Sequence, residues 1–153
     1  MENEITVLAL NAIDPEGRFT GLPLSVSCYY YGGKQWELQK EFSYRTDEGG
    51  TATVRAGFEF DFASVPRPLW WLYPPTGLQD NPYGIAALVH DWLCAHRKIE
   101  GEPIGFSRAN DVFLEIMLYL KIRKTIAYPM YWAVQSPWGW WLWQHRKPED
   151  IIP

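Results

Sequence analysis

Asn81-Pro82-Tyr83-Gly84-Ile85-Ala86-Ala87-Leu88-Val89-His90-Asp91-Trp92-Leu93 is the stretch that decides how this chain folds. Asparagine followed by proline has the form of an N-cap with proline in the first helical position, where a missing N–H costs nothing, and predicts a helix to about Arg97. On such a helix His90 shares a face with Ala86, Ala87, Leu93 and Cys94, so it points inward. An adjacent His-Asp pair in an apolar helical run is costly unless the groups are paired, ligated or at work. His90 and Asp91 are therefore the first candidates for chemistry.

Upstream of the helix the pattern is that of strands. Glu4 to Leu10 alternates, Ser25 to Tyr31 and Trp36 to Tyr44 are separated by Gly32-Gly33, and Thr51 to Phe60 follows Gly49-Gly50. These segments predict an antiparallel meander. Pro66, Pro68, Pro74, Pro75 and Gly77 then forbid a long helix or a central strand, which leaves an ordered loop anchored by Trp70 and Trp71. Downstream, Gly101 to Gly105 predicts a turn and Ser107 the cap of a second helix to about Lys121. Phe113, Ile116, Met117 and Leu120 follow the spacing of one buried helical face. Asp111 falls near the start of that helix, where a carboxylate suits the dipole. Beyond Pro129 the expectation is a short helix from Met130 to Gln135, then the aromatic run Trp138-Gly139-Trp140-Trp141-Leu142-Trp143 and a polar tail.

The expected organisation is a single domain over 1–153: a β-rich part at about 1–63, a Pro-rich loop at 64–80, a helical part at 81–135 and a Trp-rich C-terminal segment at 136–153. The fold class is α+β, an N-terminal antiparallel β-sheet packed against two or three C-terminal α-helices.

A net charge of −4 argues against a general affinity for nucleic acid, because phosphate binding needs clustered Lys and Arg and the basic residues here are scattered, with a short cluster at Lys121, Arg123 and Lys124. Cys28 and Cys94 are too few for a disulfide framework and show no metal-ligand spacing. They read as reduced core residues, with one disulfide as the alternative. The start lacks a basic region followed by an apolar stretch, and no apolar run approaches the ~18 residues of a membrane span. Synthesis in the cytosol and a chain that does not span a membrane are expected. Aromatics are the outlier: nine Trp, nine Tyr and seven Phe make 16% of the chain. Residues that join an apolar body to a polar tip suit cores and wet interfaces alike, and nine Trp in so small a domain predict an exposed docking patch for a protein or a lipid surface. His96 and His145 read as surface residues.

Thr53-Val54-Arg55-Ala56-Gly57-Phe58-Glu59-Phe60-Asp61-Phe62-Ala63-Ser64-Val65-Pro66-Arg67 resembles the signature of a phage and prophage family catalogued as domain of unknown function 1353. That signature is a proline-alanine-glycine-phenylalanine turn, an aspartate, and alanine-serine-valine-proline. An alanine-rich helix with His-Asp follows, matched by Ala86 to Asp91, then an Ala-Asp pair opening the next helix, matched by Asn110-Asp111. The resemblance covers roughly 36 to 135, with Arg55 in place of proline, Phe62 of glycine, Cys94 of tyrosine and Asn110 of alanine. It implies synthesis in a host cytoplasm and a place in the virion as one destination.

The His-Asp helix followed by a second helix with an aspartate is also similar to the core of phospholipase A-two enzymes. That resemblance implies His90 as general base, Asp111 as the carboxylate that orients it, Asp91 as a ligand of a divalent metal with calcium favoured, and Pro74 to Gly84 as the calcium loop. Such an arrangement is sound hydrolytic chemistry, and turn carbonyls can supply several of the six to eight oxygens calcium takes. Asp61 is either a further metal ligand or the acceptor of a tight turn. Ser64 as a nucleophile with His90 and Asp111 lacks the strand-turn-helix context such a serine needs.

Two functions follow. One is a phage-encoded His/Asp hydrolase acting on an ester or amide of the host envelope, with the Trp-rich segment at the lipid surface. The other is a non-catalytic virion or tail-associated protein, in which His90, Asp91 and Asp111 pin two helices and the aromatic surface binds a phage or host protein.

Overall fold

The computed structural model describes residues 14, 16–20, 29–31, 35–37, 40–60 and 82–145. The expectations placed on Glu4 to Leu10, Cys28, Asp61, Ser64, the Pro-rich loop with Trp70 and Trp71, and the cap Asn81 lie outside these residues. Within them the chain is α+β. The strands are β1 (Phe19–Thr20), β2 (Tyr29–Tyr31), β3 (Gln35–Glu37), β4 (Phe42–Arg45), β5 (Thr51–Val54), β6 (Glu59–Phe60), β7 (Lys98–Ile99) and β8 (Glu102–Pro103). The helices are α1 (Pro82–His96), α2 (Phe106–Tyr119), α3 (Lys124–Gln135) and α4 (Pro137–His145). The central sheet is antiparallel in the order β1-β4-β5, beside a second ladder in the order β2-β3-β6.

The strands are shorter than the sequence suggested. Trp36 to Tyr44 divides into β3 and β4, which belong to different ladders, and Thr51 to Phe60 is broken after Val54 by a turn with Gly57 at φ 89°. That angle suits glycine, which has no Cβ to clash. Between β4 and β5, Gly49 at φ 96° closes a three-residue loop with Thr46 N–H donating to Gly50 O at 2.8 Å. Alternation then sorts the faces: Phe42, Tyr44, Ala52 and Val54 are buried, whereas Ser43 and Thr53 share a hydroxyl hydrogen bond of 3.0 Å on the other side.

The buried face receives α1 and α2. Leu88, Val89 and Leu93 of α1 pack with Val112, Phe113, Ile116 and Met117 of α2 in one core, each contributing roughly 1.5–3 kcal/mol by leaving water. α1 ends at His96, where Arg97 adopts φ 56° and donates its N–H to Leu93 O at 2.8 Å, an αL cap that satisfies an orphan carbonyl. The turn expected at Gly101 to Gly105 is the hairpin β7–β8 with its bend at Glu100-Gly101, both at positive φ. α2 begins two residues before the expected start: Gly105 is its N-cap and Ser107 lies inside the first turn without capping it.

The C-terminal part departs most from expectation. α3 starts at Lys124 and runs through Pro129, and the Trp-rich segment is a fourth helix. Pro129 lies on the exposed side of α3, so the carbonyl it leaves without an N–H donor can turn to water. Ser136 caps α4, its Oγ accepting the Gly139 N–H at 3.5 Å, with Pro137 in the first helical position. No helix among the described residues is long and apolar enough to cross a membrane.

Between the sheet and α2 sits a half-buried charge cluster. Tyr44 O–H donates to Glu115 Oε2 at 2.6 Å, Asp47 N–H donates to the same carboxylate at 3.2 Å, and Arg18 donates to the Tyr44 hydroxyl oxygen at 3.3 Å. Burial holds the Glu115 carboxyl above its usual range despite these donors. A raised folded-state pKa means that the folded protein binds the proton more tightly than the unfolded chain. The resulting stability is complete below the ordinary glutamate pKa and is lost as pH rises through the raised value. Glu115→Gln keeps an acceptor for Tyr44 but cannot ionise. Its stability relative to wild type should therefore improve as pH rises from about 4 to 7; denaturant melts of both proteins across that range, with a constant difference, would refute the assignment.

Candidate functional site

His90 lies in the third turn of α1, on the side facing α2, and is 2% exposed; Asp91, next along the helix, is 1% exposed. The inward orientation read from the sequence is the one observed. Opposite His90 stands Asn110 of α2, fully buried, with its Oδ1 at 2.7 Å from His90 Nε2. An amide oxygen only accepts, so Nε2 carries the proton in this arrangement.

From Asn110 the hydrogen bonds continue in one direction. Asn110 Nδ2 donates to Gln135 Oε1 at 2.9 Å and to Val134 O at 3.3 Å, both at the end of α3. Gln135 Nε2 donates to the Tyr131 hydroxyl oxygen at 2.9 Å, and Tyr131 O–H donates to Asp111 Oδ1 at 2.7 Å. Every donor points away from His90 and the last acceptor is a carboxylate, so each bond polarises the next. The chain joins α1, α2 and α3 and rises from the core to the surface.

Asp111 is therefore placed differently from the expected dyad. It is exposed, one helical position beyond Asn110, and is linked to His90 by way of Tyr131, Gln135 and Asn110. Successive helical residues diverge by ~100°, so Asn110 and Asp111 cannot both face α1. Asn110 is the site residue that the sequence reading passed over. The signal was available: Asn110 is three residues before Phe113 and continues the buried face through Ile116, Met117 and Leu120.

Cys94 completes the cluster one turn after His90, its Sγ 3.5 Å from His90 Nε2 and 3.9 Å from Nδ1. The His90 ring also packs on Phe113 with centroids 4.7 Å apart. Beside them is a cavity of about 20 Å³ lined by His90, Cys94, Asn110, Gly139 and Trp143 among others, roughly the space of a single water. It offers no room for a substrate. Asp91 does not share a cluster of three or more His, Cys, Asp or Glu able to hold a metal ion among the described residues. The other groups assigned to the calcium site, Asp61 and the loop from Pro74, lie outside them.

Over this cluster sits α4. Trp143 is 9% exposed and lies under the Arg97 guanidinium at 4.3 Å, and Arg97 also donates to the Trp143 carbonyl. Gly139 is what lets α4 approach. A Cβ built there would stand 1.9 Å from Val134 O, the same carbonyl that Asn110 bonds. Four tryptophans face outward: Trp132 is 64% exposed, Trp138 and Trp141 48%, Trp140 46%. Trp138, Trp141 and His145 form a ladder of nearly parallel rings along α4, with centroids 5.6 and 4.3 Å apart. His145 is exposed as expected. His96 is not a surface residue in the same sense: it stacks on Trp92 at 3.6 Å, and burial pushes its pKa below the ordinary histidine value.

Residues 36–134 match the model of a family described as "Protein of unknown function (DUF1353)". The matched span contains His90, Cys94 and Asn110 and stops before Gln135 and α4. Neither the curated proteins nor the solved structures give a match.

Proposed function

Because the chain belongs to the DUF1353 family, whose description assigns no activity, we propose from the geometry that it is a non-catalytic assembly protein, a virion or tail-associated component that holds another protein chain against α4. The observation that carries this reading is the Trp138–Trp141–His145 ladder, half exposed, on a helix whose other side is locked by Trp143 and Gly139. Rigid, exposed aromatic rings are what the centres of protein interfaces are made of. A lipid-binding helix needs Lys or Arg along its polar face, and α4 has neither between Pro137 and His145. The ring faces and the net charge of −4 suit a protein surface that presents arginine beside aliphatic side chains. His90, Asn110 and Gln135 then serve as the pin that holds the platform. Burial of His90 and Asp91 and the outward position of Asp111 weigh against the hydrolase.

The test is a photo-crosslinking residue, p-benzoylphenylalanine, at Trp141 and, as a control, at Lys121, in the cells that express the gene. A single protein adduct specific to the Trp141 site is expected. Combined Trp138→Ser and Trp141→Ser should weaken the purified pair by at least 2 kcal/mol, about thirtyfold. No adduct specific to Trp141 overturns the proposal, as does hydrolysis of phospholipid vesicles that disappears in folded His90→Ala.

A further inference from the structure

A separate groove runs along the outer edge of β5. The direction of the backbone groups there follows from two hydrogen bonds. Thr46 N–H is bonded to Gly50 O, and Arg45 N–H is bonded to Arg18 O beside β1 at 2.9 Å. Arg45 opposes Thr51, and Ser43 opposes Thr53. In an antiparallel ladder, residues opposite each other alternate between exchanging hydrogen bonds and facing away. Since the Arg45 amide faces β1, Thr51 and Thr53 must direct their N–H and C=O groups away from β4. Among the described residues β4 is the only strand paired with β5.

Thr51 and Thr53 are among the residues that line a groove of about 710 Å³, within the range of sites that hold ligands. Its walls show that it follows the strand edge and not one sheet face. Thr51, Thr53 and Arg55 come from the side away from the core, whereas Trp92 and His96 come from α1 on the buried side. Lys98 and Glu100 of the β7–β8 hairpin stand along it. Two cations, Arg55 and Lys98, are balanced by Glu41 and Glu100, so the groove does not select a polyanion. The stacked Trp92–His96 pair supplies an apolar floor.

We infer that this groove binds an extended peptide segment of a partner protein by strand addition to β5. The partner's main chain bonds Thr51 and Thr53, an apolar or aromatic side chain faces Trp92 and His96, and side chains of both charges meet the rim. This site does not depend on the α4 proposal, and the two are separable by position.

The experiment uses the full chain and a displayed random-peptide library, with a synthetic copy of the peptide that emerges as the probe. In amide-resolved NMR the Thr51 and Thr53 signals should shift on titration and their hydrogen exchange should slow at least about tenfold. N-methylation of alternate peptide residues should abolish binding. Thr53→Pro removes one outward N–H at an edge position where proline is tolerated and should weaken binding by at least about tenfold while the remaining spectrum is kept. Should Thr53→Pro fail to fold, the N-methylated peptides decide alone. Failure to select any peptide that perturbs Thr51 and Thr53, or peptides that perturb the α4 tryptophans instead, overturns the inference.

Discussion

Gly139→Ala should destabilise this protein by about 3 kcal/mol or more, although the same change at an exposed helical position would stabilise by roughly 1 kcal/mol. The reversal has a geometric cause. The added methyl would lie 1.9 Å from Val134 O and 2.6 Å from Val134 C, and both are backbone atoms of α3. A side chain could turn aside; a helix end held by Asn110 cannot. Relief requires α4 to swing away, which uncovers Trp143 and breaks its contact with Arg97. A fall in melting temperature of roughly 10 °C is expected for a chain of this size, with tryptophan emission shifted to the red before global unfolding. Gly105→Ala is the control, since its Cβ meets nothing within 4 Å and the change at an N-cap should cost no more than ~1 kcal/mol. Equal effects at both positions would show that α4 is not held by close contact.

The joint at Gly139 also marks where the sequence was hard to read. The start of α1 at Pro82 is legible because proline suits the first helical position, and the inward turn of His90 follows from helical period alone. Ser136-Pro137 is the same signal, yet four tryptophans within six residues of the following run masked it, because aromatic density carries no period. The sequence places the start of α3 after Pro129 for a similar reason: proline argues against a helix unless its side of the helix faces water, and that is a tertiary fact. The break in Thr51 to Phe60 depends on Gly57 taking a positive φ, which glycine permits without announcing. The dyad of His90 and Asp111 rests on the resemblance to phospholipase A-two enzymes, which carries no information on helix phase. The phase of α2 was the better guide, and it selects Asn110. What no pattern in the sequence could supply was the route through Gln135 and Tyr131, because it joins residues brought together by the packing of α2 on α3.

That route sets the second large effect. Asn110→Leu removes the acceptor for His90 Nε2 and the donor to Gln135 and Val134 at one stroke. A buried group left without its hydrogen bond costs about 1–3 kcal/mol, and here more than one is affected, so a loss of ~2–3 kcal/mol and roughly 5–10 °C is expected. The cost should fall toward the surface. Asp111→Asn, at the exposed end, keeps an acceptor for Tyr131 and should stay within ~0.5 kcal/mol. Gln135→Leu should be intermediate, and a double-mutant cycle with Asn110→Leu should show coupling of ~0.5–3 kcal/mol because the two side chains share one bond. Denaturant melts of the three single variants and the double variant measure the gradient directly. A structural pin requires this order. If Asp111→Asn costs as much as Asn110→Leu, the carboxylate acts on His90 with a force that the relay does not explain, and the case for a working His/Asp pair returns.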